Sequence, residues 1–139
     1  MSSQTGRVVA TFQCSNSSDT EEDNDSVESV GFSSINTLFA TGTVDGSVDI
    51  WDIPTAIKRH SCKQSEGISK LLWDRNNSHL LYTAGLDGVL SIYDTRSGQL
   101  MNALKGHSDH ILDLCISKDS DIALTSSEDN TCRIFSLLQ

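Results

Sequence analysis

Three segments of the chain superpose on one another at a constant step. Asp45, Asp87 and Asp129 stand 42 residues apart, and so do Trp51, Tyr93 and Phe135. The segments read LFATGTVDGSVDIWD, LYTAGLDGVLSIYD and ALTSSEDNTCRIFS. A unit that recurs at one spacing folds as one supersecondary structure repeated, each copy burying apolar surface against the next. The chain is therefore expected to be an array. Residues that recur in register are expected to serve the architecture before they serve chemistry.

Alternation and turn chemistry divide each unit into strands. In the second, GISKLLWD places Ile68, Leu71 and Trp73 on a first strand, and HLLYTAGL makes the next. Asp87-Gly88 follows; Asp-Gly between β-prone runs marks a tight hairpin, because Gly supplies the positive φ the turn needs. VLSIYD is then the third strand and GQLMNALK the outermost. The third unit retraces this through HILDLCIS, DIALTSS, the turn Asp129-Asn130 and TCRIFS. Asn is the next most tolerant residue of a left-handed conformation. The first unit runs VESVGFS, TLFATGTV, the turn Asp45-Gly46 and SVDIWD. A period of roughly 40–45 residues ending near Trp-Asp is the signature of a β-propeller blade. The expected fold class is all-β: an incomplete propeller of about three four-stranded blades plus an orphan outer strand. Trp73, level with Phe32 and Ile116 on the inner strands, reads as packing between blades.

The boundaries follow from the same alignment. Residues 27–63, 64–105 and 106–139 are the repeats, the last lacking its outer strand. Thr5 to Phe12 (TGRVVATF) matches the outer strand Ser97 to Leu104 (SGQLMNAL), so residues 1–13 are expected to be the outer strand of a preceding, missing blade. Propellers close with roughly four to eight blades. The expectation is the C-terminal part of a longer propeller or a truncated gene, with the remaining blades as its first partner. Open sides would expose strand edges and blade faces, leaving the isolated chain marginal, self-associating or dependent on those blades.

One stretch breaks the period. Residues 14–26 carry Asp19, Glu21, Glu22, Asp23 and Asp25 with no Lys, Arg or large apolar side chain before Ser26. Such a composition cannot bury enough surface to offset ordering entropy and is expected to be a disordered insertion on one face of the disc. Its five carboxylates are candidate contacts for a basic partner, and Ser18-Asp19-Thr20-Glu21 resembles an acidophilic kinase site. The plainer reading is an inert solvated loop.

Charge and cysteine usage exclude several classes. The net charge is −9, from 10 Lys and Arg against 19 Asp and Glu. Scattered cations argue against direct contact with nucleic acid, which requires clustered Lys and Arg. An acidic surface suits a basic protein partner, and it also serves solubility. No apolar run approaches the roughly 18–20 residues of a membrane span, and the N-terminus lacks the form of a signal peptide. Cys14, Cys62, Cys115 and Cys132 lie far apart with no Cys-x-x-Cys pair, which suits reduced thiols in the cytoplasm. Cys115 and Cys132 fall inside expected strands, where a free Cys acts as a small hydrophobe. His60, His79 and His110 show no metal-ligand spacing, and no cofactor is expected. The sequence has no phosphate loop, no H-E-x-x-H and no G-x-S-x-G. A His107, Thr125 and Asp129 set invites a nucleophilic reading, but its repeat-linked position makes it structural. The chain is not expected to be an enzyme.

Gly106-His107, Asp129 and the Trp51-Asp52 dipeptide together resemble the WD-repeat family across residues 27–139. The resemblance implies a buried hydrogen-bond network of His107, Thr125 and Asp129 in the last blade, with Thr41 and Thr83 at the matching hydroxyl positions. Phe135 stands where that family has Trp and has no N–H to donate. Gln64 in the second blade and Asp23 in the first stand where His would be. A polar cluster of this kind rigidifies its turn only when every member is satisfied.

A longer run is similar to one animal branch of the family, associated with cell migration and angiogenesis. It comprises SVESVGF, DGSVDIWD, KRHSCKQSEGISKLLWD, SIYDTRSGQL and KGHSDHILDLCISKD. Fungal relatives of that branch are chaperones for a basic large-subunit ribosomal protein. What this implies is a non-enzymatic protein-interaction scaffold, either a client chaperone or a signalling and migration adaptor.

Overall fold

The three repeat turns reverse the chain in one way. Their second residues have positive φ: 93° at Gly46, 80° at Gly88 and 69° at Asn130. The preceding carboxylate holds each turn by accepting a backbone N–H two residues on. Asp45 Oδ1 accepts from Ser47 at 3.1 Å, Asp87 from Val89 at 3.0 Å and Asp129 from Thr131 at 2.9 Å. A Cβ at Gly46 would come within 2.6 Å of the Gln64 and Glu66 carbonyl oxygens, so the turn backbone presses on the start of the next repeat.

A computed structural model describes residues 6–14, 26–34 and 37–138. Within them lie eleven strands and no helix: β1 (Val27–Phe32), β2 (Leu38–Thr43), β3 (Ser47–Asp52), β4 (Lys58–Lys63), β5 (Ile68–Trp73), β6 (Leu80–Gly85), β7 (Val89–Asp94), β8 (Gln99–Lys105), β9 (Ile111–Ile116), β10 (Ile122–Ser127) and β11 (Cys132–Ser136). They form three antiparallel meanders, β1-β2-β3-β4, β5-β6-β7-β8 and β9-β10-β11. This is the expected all-β propeller arrangement, with the third sheet ending at its third strand.

Because strand side chains alternate, each sheet has two faces. The front face carries the cross-strand pair Phe39–Trp51 in the first sheet, Leu81–Tyr93 in the second and Ala123–Phe135 in the third. The rear face carries Ala40–Ile50, Tyr82–Ile92 and Leu124–Ile134 in the same order. The rear of the first sheet (Ala40, Val48, Ile50, Cys62) and the front of the second (Ile68, Leu71, Trp73, Leu81, Tyr93) share one core. Tyr82, Ala84 and Leu90 on the second sheet's rear share another with Ile111, Leu114 and Ala123, flanked by Leu104 and Phe135.

Hydrogen bonds between inner strands add direction to this burial. Trp73 Nε1 donates to the Gly31 carbonyl at 2.8 Å, Leu71 N to Ser29 Oγ at 3.0 Å, and Ser69 Oγ to the Ile111 carbonyl at 2.5 Å. Trp73 is thus packing between sheets with its polar edge satisfied.

Several expectations need correction or completion. Cys115 and Cys132 do lie in strands β9 and β11, but both are exposed. They point to the rear of the third sheet, which no described residue covers, so neither acts as a buried hydrophobe. Strand β4 is faint in the sequence because KRHSCK is almost wholly polar; it forms by pairing to β3, and only Cys62 is buried. Residues 6–14 carry no strand pairing, although Phe12 packs edge-on to Phe39 and Trp51 at centroid distances of 4.8 and 5.3 Å. Residues 15–25 of the acidic insertion lie outside the described residues.

The shared core between the first two sheets makes two substitutions costly. Leu71, 1% exposed, should lose about 2–5 kcal/mol on Leu71→Ala. A Cβ at Gly42 would lie 2.6 Å from Ile68 Cγ2, so Gly42→Val should cost about 1–3 kcal/mol through overpacking. Urea unfolding of both variants reads these losses directly.

Candidate functional site

The recurring threonines sit at one register position on the front faces, and each takes a different partner. In the third sheet His107 Nε2 lies 2.6 Å from Thr125 Oγ1, and Nδ1 lies 2.9 Å from Asp129 Oδ2. With the carboxylate at Nδ1, the network assigns the proton there and leaves Nε2 to accept from the threonine hydroxyl. Ser108 N also donates to Asp129 Oδ2, at 3.1 Å, and Phe135 stands edge-on to the imidazole at 6.2 Å. In the second sheet Gln64 Nε2 donates to Thr83 Oγ1 at 2.7 Å. In the first, Trp51 Nε1 donates to Thr41 Oγ1 at 3.1 Å. The hydroxyl is constant while its partner changes. That is the behaviour of a buried polar position needing any satisfying group.

The arrangement is unsuited to catalysis. The His107 side chain is wholly buried and Thr125 is 1% exposed. No substrate reaches that hydroxyl without opening the sheet interface. The other turn residues serve folding in the same way. Asp45 accepts from the Thr43 hydroxyl and from Lys63 Nζ at 2.9 Å. Although burial works against it, these bonds and that of Ser47 hold its carboxyl well below the usual range. Asp52, beside Trp51, receives Arg59 Nη2 at 3.2 Å, and Asp87 receives Ser65 Oγ at 3.3 Å. The five acidic candidates Asp19, Glu21, Glu22, Asp23 and Asp25 lie outside the described residues, as does the Asp23 match to the histidine position.

Three clusters escaped the sequence reading. Asp49, buried at 1%, accepts Ser61 Oγ at 2.6 Å and pairs with Lys58 Nζ at 3.4 Å, while Lys58 lies 5.1 Å from the Trp51 ring centroid. Asp74 accepts Tyr82 O–H at 2.6 Å, the backbone N–H groups of Asn76 and Asn77, and Ser120 Oγ at 2.9 Å, which ties the second sheet to the third. Burial and the Asp74 carboxylate push the Tyr82 phenol well above its ordinary range. The Asp74-x-Asn76-Asn77 loop was a readable turn signal, but its partners Tyr82 and Ser120 come from elsewhere in the chain. Finally, Asp109, His110 and Glu128 meet at the surface. His110 Nδ1 lies 3.4 Å from Glu128 and Nε2 lies 3.9 Å from Asp109, so the carboxylates flank opposite ring nitrogens.

Half of the ten Lys and Arg are paired. Lys58, Arg59, Lys63, Lys70 and Arg96 each lie within 4.0 Å of an aspartate. A cleft of about 390 Å³ between the first two sheets is lined by Arg59, His60, His79 and Arg96. Asp52 and Asp94 neutralise both of its arginines.

Residues 2–137 match the family described as nucleolar protein 10-like, N-terminal domain, a β-propeller. Human angio-associated migratory cell protein is 37% identical over 142 residues, covering 97% of this chain and 32% of the human protein. An uncharacterised WD repeat-containing protein of Schizosaccharomyces pombe is 30% identical over 115 residues, covering 83% of the chain and 29% of that protein. The crystal structure of Saccharomyces cerevisiae Sqt1 superposes with a TM-score of 0.74 at 22% identity, over 82% of this chain and 32% of Sqt1. The chain therefore spans about a third of the length of these relatives.

The His107 network carries a pH signature. The Thr131 hydroxyl, outweighing desolvation, holds the Asp129 carboxyl well below its usual range with help from His107 and the backbone N–H groups of Thr131 and Ser108. A depressed folded pKa stabilises above the unfolded value of about 3.9, and that contribution is lost as pH falls through the folded value. Asp129→Asn should lower the urea midpoint at neutral pH, and the gap to the parent should close as the medium is acidified below about pH 4.

Proposed function

Because the chain belongs to the nucleolar protein 10-like N-terminal β-propellers, a WD-repeat family of protein-interaction scaffolds, we propose that it is a non-enzymatic cytoplasmic scaffold that holds a basic protein client. The proposed client class is a basic large-subunit ribosomal protein awaiting assembly. The observation that carries this reading is charge. A net −9 on 139 residues, with half the Lys and Arg already paired to aspartates, leaves a negative excess that steers a cationic polypeptide and repels nucleic acid. The proposed contacts are Asp19, Glu21, Glu22, Asp23 and Asp25, five carboxylates within seven residues.

A second reading has its own support. The similarity to angio-associated migratory cell protein and the exposed apolar side chains Phe32, Val30 and Ile134 suit a signalling or migration adaptor whose contacts are apolar. The two readings differ in salt dependence, since exposed charge pairs are screened within about 8–10 Å at physiological ionic strength.

Affinity capture with the 139-residue chain, washed at low and high salt, separates them. The chaperone reading expects one basic ribosomal protein, released by high salt, and a loss of about tenfold or more in affinity when the five carboxylates become amides or serines. Partners that resist salt and ignore those substitutions would establish the adaptor instead.

A further inference from the structure

Each repeat is closed at one point by the same backbone hydrogen bond, from the residue after the second strand to the residue just before the first. Val44 N donates to the Ser26 carbonyl at 2.9 Å, Leu86 N to the Gly67 carbonyl at 2.8 Å, and Glu128 N to the His110 carbonyl at 3.0 Å. The bond belongs to the architecture, but the side chains at its two ends do not recur. They are Ser26 and Val44 in the first repeat, Gly67 and Leu86 in the second, His110 and Glu128 in the third. At Gly67 a Cβ would fall 2.4 Å from the Val44 carbonyl oxygen, so the second repeat has no room for a side chain there. The third repeat puts an imidazole at that place and a carboxylate opposite it. Nothing in the fold requires either.

Asp109 brings a second carboxylate to the same spot. Its carbonyl accepts from Ser127 Oγ at 3.2 Å, and its Oδ1 accepts from His110 N at 2.8 Å. Residues 109–110 and 127–128 are therefore tied together through their backbones, and their side chains emerge side by side. One ligand atom from each of Asp109, His110 and Glu128 lies within 4.8 Å of the other two. An ion bound at about 2.0–2.2 Å holds its nitrogen and oxygen ligands no more than about 4.3 Å apart, so the three need to close by at most about 0.5 Å. They are free to do so, because the side chains of Asp109, His110 and Glu128 are 48%, 46% and 50% exposed. Neither carboxylate pairs with a Lys or Arg among the described residues. The turn itself is held by Asp129, which accepts from Thr131 and leaves Glu128 unused in that role.

We propose that Asp109, His110 and Glu128 bind one divalent transition-metal ion, of the class of Zn²⁺, Co²⁺ and Ni²⁺. The imidazole sets the class: Ca²⁺ and Mg²⁺ take oxygen ligands throughout, whereas a ring nitrogen suits the later first-row ions. Two carboxylates balance the charge of the ion, and water fills its remaining positions on the solvent side. The bound ion clips the entry to β9 onto the exit from β10, two points that the chain otherwise joins by one backbone bond and one serine hydroxyl. Its effect is on stability, which rises with metal concentration because the ligand set is assembled only in the folded chain. His107, wholly buried on Thr125 and Asp129, takes no part.

Titration of the 139-residue chain with cobalt chloride, followed by visible absorption and calorimetry, tests this. The expected result is saturable uptake of one Co²⁺ per chain, with the weak bands of nitrogen and oxygen ligation. The near-ultraviolet charge-transfer band of a thiolate ligand should be absent, which separates this site from the exposed Cys115 and Cys132. His110→Ala and Glu128→Gln should each lower the affinity about tenfold or more. Both side chains are half exposed, so the variants keep the parent's circular dichroism spectrum. Glu66→Gln, level with Asp109 in the second repeat, should bind as the parent does. Cobalt should also raise the urea midpoint of the parent and leave that of His110→Ala unmoved. No saturable uptake, a spectrum dominated by thiolate, or unchanged affinity in either His110→Ala or Glu128→Gln would each overturn the proposal. So would an equal loss in Glu66→Gln, which would reduce the binding to diffuse attraction by surface carboxylates.

Discussion

Contact between a rear face and a front face is what the rest of this molecule depends on. A four-stranded meander six residues wide is too thin to hold a core of its own, so its apolar side chains are buried only where a neighbouring sheet supplies the other half. Leu71 and Trp73 of one repeat lie against Ala40, Val48 and Ile50 of the one before. The inner-strand hydrogen bonds from Trp73 to Gly31 and from Ser69 to Ile111 then fix the offset between sheets. Stability in such an array is a sum over neighbours. The second sheet, covered on both faces, is the best held; the first and third are each held on one.

The polar positions follow the same logic. Thr41, Thr83 and Thr125 are buried hydroxyls at one register site, and Trp51, Gln64 and His107 are three solutions to satisfying them. A catalytic hydroxyl would require one base in one geometry. A structural hydroxyl requires only a partner, and the three repeats use three. The WD-repeat membership established by the match over residues 2–137 agrees with that reading of the site.

Much of the fold was legible because the repeat is read against itself. The turn residues Asp45-Gly46, Asp87-Gly88 and Asp129-Asn130, the threonine register and the sheet boundaries all recur, so each supports the others. What was hidden occurs once. Asp74 is fixed by Tyr82, from the neighbouring strand, and by Ser120, from the next repeat; no local pattern links the three. Strand β4 is polar along most of its length and exists by pairing to β3. Cys115 and Cys132 show the opposite failure: their strand assignment was readable, but whether a strand face is covered depends on which sheet lies beyond it.

Amide hydrogen exchange followed residue by residue tests the stacking account most directly. If rear-to-front contact governs stability, the slowest amides belong to β6 and β7 of the doubly covered second sheet, with β1 and β11 exchanging fastest among the strands. Equal protection across all three sheets, or a maximum in the third, would mean that each sheet is stabilised from within and would contradict the account.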